Sequence, residues 1–226
     1  MNEPEPIKVV LLGESGVGKT SIISQFTTHK FDLHRETSLS AQFISKTLEF
    51  ADLGQSIKFD IWDTVGQEKY RSLAKIFYKD AKVIIFVYDI TRKFTFENIQ
   101  NYWYEETKNN ADGNPILAVV GNKIDLYGES QVNNNDGKAY ADKIGAIFQT
   151  TSALSDSGIS TLFDNIGKKH LIPGYDYSSS DKKAQEEYMK KKQEEDGNKK
   201  LKKKKENKGV KLEKEKDPEK KKKGWC

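Results

Sequence analysis

Short apolar runs alternate along the chain with longer stretches in which apolar residues recur every three or four positions. Residues 7–12 form a buried-strand pattern that runs straight into a glycine-rich turn. Residues 42–50 and 56–63 read as two strands joined by a hairpin around Asp52-Leu53-Gly54-Gln55. Residues 83–89 and 116–122 are continuous apolar runs of the kind buried on both faces of a parallel sheet, and 146–151 is a shorter strand. Helical spacing marks residues 20–28, 68–79 and 136–144, and the recurrence of Phe96, Ile99, Trp103 and Thr107. A last helix over 158–171 is stopped by Pro173-Gly174. This alternation predicts an α/β fold: a mostly parallel six-stranded sheet with one antiparallel strand and about five helices covering both faces. Ligands of such sheets sit at the carboxyl ends of the strands.

Composition divides the 226 residues into two parts. Residues 181–226 hold 19 Lys against 11 acidic side chains, which leaves 19 basic against 23 acidic in residues 1–180. A mildly acidic body therefore precedes a basic tail. The tail has only eight apolar or aromatic side chains and cannot bury enough surface to offset the entropy of ordering it. The expected organisation is a short extension over 1–6, a body over 7–172 and a Lys-rich disordered tail over 173–226. A single cysteine excludes a disulfide scaffold and fits a reducing compartment. No apolar run approaches the length of a membrane span. The start, Met1 to Pro6, lacks the basic and apolar regions of a signal peptide, and Asn2 stands where myristoylation needs Gly.

The candidate chemistry falls at strand ends. Gly13-Glu14-Ser15-Gly16-Val17-Gly18-Lys19-Thr20 matches the phosphate-binding loop G-x-x-x-x-G-K-[ST], with a strand before it and a helix after. Glycines let backbone N–H groups curl around anionic oxygens, and the helix N-terminus adds positive partial charge. In that motif Lys19 reaches the terminal phosphates and the Thr20 hydroxyl holds Mg²⁺. The plain alternative is a glycine turn, and the loop alone names no base. Asp63-Thr64-Val65-Gly66-Gln67 follows a strand; there Asp63 suits Mg²⁺, Gly66 N–H a γ-phosphate, and Gln67 an attacking water. Asn122-Lys123-Ile124-Asp125 supplies a carboxylate for a purine's paired N1–H and N2–H₂ donors. Guanine has both donors and adenine has neither, so Asp125 selects guanine. The Lys123 stem covers the base face, while Asn122 is better suited to tying loops together.

These three motifs, in this order, resemble those of a small GTPase of the Ras superfamily, and specifically the Rab branch. The resemblance covers about residues 7–172. Ile61-Trp62-Asp63-Thr64-Val65-Gly66-Gln67-Glu68-Lys69-Tyr70 is similar to the Rab stretch W-D-T-A-G-Q-E-[RK]-[YF], and Tyr88-Asp89-Ile90-Thr91 also matches. Residues 36–43 and 70–74 look closest to early-endosomal Rab-like members. The resemblance implies a P-loop small G domain that binds GTP and GDP with Mg²⁺, hydrolyses GTP and recruits effectors in the GTP state to regulate vesicle trafficking. Nucleotide-contacting positions are then Ser15, Gly16, Val17, Gly18, Lys19, Thr20, Ser21, Phe31, Ser38, Gly66, Asn122, Lys123, Asp125, Ser152, Ala153 and Leu154. Thr20, Ser38 and Asp63 become the metal positions, Gln67 and Lys19 the catalytic ones, and Phe43, Trp62 and Phe77 the aromatic triad that meets effectors.

Four residues depart from the family pattern. Ser38 replaces a Thr, Ser40 a Gly, Val65 an Ala beside the γ-phosphate, and Leu154 the Lys of S-A-K. Val65 crowds the hydrolytic water, so slow intrinsic hydrolysis is expected. The alternative is a guanine-nucleotide-binding scaffold of the same fold that does not hydrolyse. The implied partners are an exchange factor, an activating protein that supplies an arginine, effectors and a GDI-type escort. In the tail, Lys220–Lys223 stand directly before Gly224-Trp225-Cys226. Rabs carry prenylated C-terminal cysteines, so Cys226 is the candidate lipidation site, with the lysines as the second, electrostatic signal. This implies the cytoplasmic face of intracellular membranes, endosomal by subgroup. Acidic residues within the tail, and the lack of aromatic–basic interleaving, argue against a nucleic-acid partner. The histidines His29, His34 and His170 form no cluster and read as surface residues.

Overall fold

The computed structural model describes residues 5–33, 42–64 and 74–176. Six strands form one sheet: β1 (Pro6–Leu12), β2 (Gln42–Phe50), β3 (Gln55–Asp63), β4 (Val83–Asp89), β5 (Ile116–Asn122) and β6 (Ile147–Thr151). Their spatial order is β2-β3-β1-β4-β5-β6. Only the β2–β3 hairpin is antiparallel, in a register that sets Phe43 opposite Trp62. The remaining pairings are parallel, with Val9 opposite Val83 and Val87 opposite Val120.

Burial follows from this order. β4 lies mid-sheet with every residue buried, which is why its sequence is apolar from Val83 to Tyr88 before it ends in Asp89. β2 lies at the edge and alternates exposed with half-buried positions, as a strand with one wet face must. Helices α1 (Lys19–Thr28) and α6 (Ile159–Leu171) cover one face. There Phe26 stacks on Phe163 with centroids 3.6 Å apart, and Phe59 meets both rings edge-on. On the other face Tyr88 packs on Phe96, and Phe96 on Tyr140 of helix α5 (Asn134–Lys143).

The structure corrects several sequence expectations. The helix expected around Phe96–Thr107 is a longer composite: α3 (Lys93–Asn98), a π-helical turn over Ile99–Trp103, then α4 (Tyr104–Asn110). The wide turn keeps Ile99 and Trp103 both buried, and its indole N–H donates to Glu14 Oε1 at 3.2 Å. Of the helix expected over 68–79, α2 covers Ala74–Tyr78; residues 68–73 lie outside the described residues. α5 begins at Asn134, two residues early, because the Asn133 side chain caps it by accepting from the Asn135 N–H. The segment after Asn122, read as loop, holds a 3₁₀ turn over Ile124–Glu129.

Candidate nucleotide site

The glycines between β1 and α1 are fixed by close approach and by backbone sign. Gly13 has φ +146°, and a Cβ there would lie 2.2 Å from the Val87 carbonyl oxygen. Gly18 has φ +97°, and its Cβ would lie 2.3 Å from Asn122 Nδ2. No L-residue fits either position without displacing its neighbour. α1 begins directly at Lys19, with no side chain capping its first amides. The loop and the uncapped helix start meet at the cleft, the arrangement that attracts anions.

Lys19 is buried and donates from Nζ to the carbonyl oxygens of Gly13 at 2.8 Å and Glu14 at 2.9 Å. Burial lowers its pKa to about 8, although Asp63 and Glu14 pull the other way. The Thr20 hydroxyl donates to Asp63 Oδ2 at 2.6 Å, joining the start of α1 to the end of β3. These are hard oxygen donors of the class that Mg²⁺ takes. Thr64, next in line, donates to the Leu11 carbonyl at 2.5 Å and ties the β3 exit to β1.

The loops after β5 and β6 build the opposite wall. Asn122 Nδ2 donates to the Val17 carbonyl at 2.8 Å, and its Oδ1 accepts from Thr151 Oγ1 at 3.0 Å. One side chain therefore fastens the phosphate loop to both strands. Lys123 adopts a left-handed backbone (φ +70°) and sets its ammonium 2.7 Å from Asp89 Oδ2. Ser152 Oγ donates to Asp125 Oδ1 at 2.5 Å and accepts from the Ser155 N–H at 3.1 Å. Burial opposes ionisation of Asp89, but hydrogen bonds from Lys123 and Thr91 outweigh it and hold the carboxyl below its ordinary range.

These walls enclose a cleft of about 410 Å³. Its lining brings together Ser15, Gly16, Gly18, Lys19, Thr20, Ser21, Phe31, Asn122, Lys123, Asp125, Ala153 and Leu154, twelve positions singled out from the sequence. Val17 and Ser152 stand behind that lining, fully buried, with Asp63 beside Thr20. Ser38, Gly66, Gln67 and Cys226 lie outside the described residues, as do Val65 and Ser40. Asp32, Leu33, Thr64 and Leu126 also line the cleft without having been singled out. Asp89, the carboxylate that steadies Lys123, has no site role in the sequence patterns; its signal there is an acid ending an apolar strand.

Away from the cleft, Trp62 touches both Phe43 and Phe77, with centroids 5.2 Å and 5.8 Å apart. Phe43 is half exposed. His29 and His170 lie exposed, His29 with its Nδ1 3.2 Å from Asp156 Oδ2, and His34 is outside the described residues. Among the described residues no helix is long and apolar enough to cross a membrane.

Residues 8–171 match the Ras family. The chain is 37% identical over 187 residues to the Ras-related protein RABA1b of Arabidopsis thaliana, covering 79% of this chain and 85% of that protein. It is 41% identical over 170 residues to the Ras-related protein Rab-22A of Homo sapiens, covering 75% and 85%. With Rab11C of Lotus japonicus the identity is 40% over 159 residues, covering 70% and 72%. The chain is a Rab-type member of the Ras family of small GTPases. The sheet of this Rab-type GTPase, with its single antiparallel hairpin at one edge, is that of a small G domain. In it the loop between β1 and α1 and the loops after β5 and β6 converge on one cleft.

Proposed function

We propose that this Rab-type GTPase is a guanine-nucleotide switch of vesicle trafficking that hydrolyses GTP to GDP slowly and meets effectors in the GTP state. The observation that carries the reading is the facing of two elements across one cleft: the uncapped start of α1 with Lys19, and Asp125 with its Ser152 donor. The first suits phosphates and the second suits guanine. Ser15 to Ser21 cradle the phosphates, Phe31, Lys123 and Leu154 flank the base, and the Ala153 N–H faces the guanine oxygen. Asn122 keeps the two loops in register. Thr20 and Asp63, together with Ser38, would hold Mg²⁺, and the ion would supply countercharge to the phosphates. Gly66 meets the γ-phosphate, Gln67 orients the attacking water and Lys19 offsets developing charge. An activating protein adds an arginine, worth on the order of 10³–10⁵ in rate.

The cluster of half-exposed Phe43 with partly buried Trp62 and Phe77 supports an effector surface. A prenyl group on Cys226, backed by Lys220–Lys223, holds the chain on the cytoplasmic face of intracellular membranes, endosomal by subgroup, and a GDI-type escort extracts it.

The test is to identify the nucleotide that co-purifies with the chain, then to follow phosphate release in a single turnover. GDP or GTP in the purified protein and slow release support the switch. A chain that retains no guanine nucleotide overturns it, and retained GTP with no release favours the non-hydrolysing scaffold.

A further inference from the structure

One side chain outside the cleft acts on the middle of the phosphate loop. Arg92, just past β4, donates from Nη2 to the Ser15 carbonyl oxygen at 3.1 Å. Its Nε donates to Asp89 Oδ2 at 3.0 Å. Asp89 is 1% exposed and cannot swing away, because its Oδ1 also takes the Thr91 N–H at 2.9 Å and the Thr91 hydroxyl at 2.7 Å. The guanidinium is therefore held at both ends of its fork, and the Phe94 ring lies 5.6 Å from its carbon.

The consequence is geometric. Ser15 and Gly16 line the cleft, whereas Arg92 does not. In a trans peptide the C=O and N–H point in opposite directions. A Ser15 carbonyl drawn toward Arg92 turns away from the cleft, so the Gly16 N–H of the same peptide turns into it. Gly16 has φ +71°, and a Cβ there would lie 3.5 Å from Arg92 Nη2, so loop and guanidinium are in van der Waals register. The cation also polarises that peptide in the direction that strengthens its N–H as a donor.

We propose that Arg92 is a positioning residue that locks the Ser15–Gly16 peptide with its N–H aimed at the phosphate oxygens of a nucleoside di- or triphosphate. This rests on the nucleotide reading above and deepens it. The same Asp89 carboxylate braces Arg92 for the phosphate side and Lys123 for the base side. Removing Arg92 leaves the base side intact, since Thr91 and Lys123 still hold Asp89. Lysine cannot substitute, because one ammonium lacks the planar fork that spans Asp89 and Ser15 together.

The experiment compares full-length wild-type chain with Arg92→Ala and Arg92→Lys. It measures GDP affinity, the preference for GDP over xanthosine diphosphate, and the Gly16 amide proton shift on adding GDP. Both variants are expected to lose about tenfold in GDP affinity, the size of one charge-assisted hydrogen bond. The preference for guanine stays at the wild-type ratio, and the GDP-induced shift of the Gly16 amide shrinks. GDP affinity within twofold of wild type in either variant overturns the proposal. So does loss of the guanine preference along with the affinity, which marks a general structural role. If Arg92→Ala does not fold, Arg92→Lys decides by the same criteria. Wild-type chain that binds no GDP brings down the functional reading itself, an outcome distinct from equal binding by wild type and variants.

Discussion

Ser152 on the loop after β6 donates its hydroxyl to the carboxylate of Asp125, 27 residues earlier, at 2.5 Å. Ser152 is fully buried and itself held by paired backbone bonds with Ser157, each 3.0 Å. The Asp125 carboxylate is thus aimed by a rigid neighbour. Asp125→Asn replaces an acceptor by an amide that suits the xanthine C2 carbonyl. The expected result is a loss of about 10²-fold or more in GTP affinity, two charge-assisted hydrogen bonds' worth, with xanthosine triphosphate now preferred. Ser152→Ala is expected to cost only about fivefold, because aim is lost and charge is kept. Competition binding with both nucleotides checks this, and an unaltered preference for guanine in Asp125→Asn rules out the assignment.

The same pair shows what could be read from the chain alone. The place of Asp125 in the cleft was legible because its motif stands directly after an apolar strand, where ligands of such sheets sit. The Ser152 side-chain bond was not, since no spacing rule connects positions on two loops that meet only after β5 and β6 pair. Strands were legible where burial is uniform, as in β4 and β5. The composite helix from Lys93 to Asn110 was half legible: the apolar spacing was there, but a π turn shifts the register without any composition signal. The bracing of Lys123 and Arg92 by Asp89 was invisible for the same reason as Ser152: it joins three segments through one buried carboxylate.

Gly18 tests how tightly the two walls of the cleft depend on one another. An added methyl would lie 2.3 Å from Asn122 Nδ2, in a backbone region that L-residues avoid. Asn122 must then give up the Val17 carbonyl, which leaves a buried acceptor unmade. Gly18→Ala is expected to destabilise the fold by about 2–3 kcal/mol and to weaken GDP binding at least tenfold. Thermal melts and GDP titration measure the two effects. Wild-type stability would mean that the loop tolerates a side chain there.

Lys19 sets a pH dependence with a definite sign. Burial lowers its folded-state pKa to about 8, against 10.5 for the unfolded chain. Between those values the unfolded chain binds more protons, so the stability of the nucleotide-free protein rises with pH in that window. Affinity for phosphates moves the opposite way, because they attract the protonated ammonium that the free protein gives up above about pH 8. GDP affinity is expected to be highest around pH 7 and to fall between pH 8 and 9.5, and Lys19→Met is expected to flatten that fall. Titrations across this range in wild type and variant check it; an affinity unchanged up to pH 9.5 contradicts it.

Val65 lies outside the described residues, and its role follows from its place between Thr64 and Gly66. Valine is two methyl groups larger than the alanine of the family pattern, at the position beside the γ-phosphate. Val65→Ala is expected to raise the single-turnover hydrolysis rate about tenfold, as when a displaced reactant regains its geometry, and to leave GDP affinity unchanged. A rate no faster than wild type would show that Val65 does not restrain hydrolysis.

Gly167 provides a test of packing remote from the cleft. It is buried on α6, and a Cβ there would lie 2.1 Å from Phe50 Cζ and 2.9 Å from both Cε atoms. The ring tip of Phe50 thus points straight at the helix, and Phe50 is only 3% exposed, so it has little room to retreat. Two effects oppose each other in Gly167→Ala. Helix propensity favours alanine by about 0.5–1 kcal/mol. Forcing a ring out of a filled core costs about 1–3 kcal/mol. Overlap this deep, against a side chain stiff in two torsions, makes the second effect the larger, and a net loss of about 1–2 kcal/mol is expected. Phe50→Leu in the same background withdraws the ring tip, so the double variant is expected to be more stable than the sum of the two single changes predicts. Chemical denaturation of all four proteins measures that coupling. Strict additivity would show that α6 and the β2–β3 hairpin do not meet through this contact.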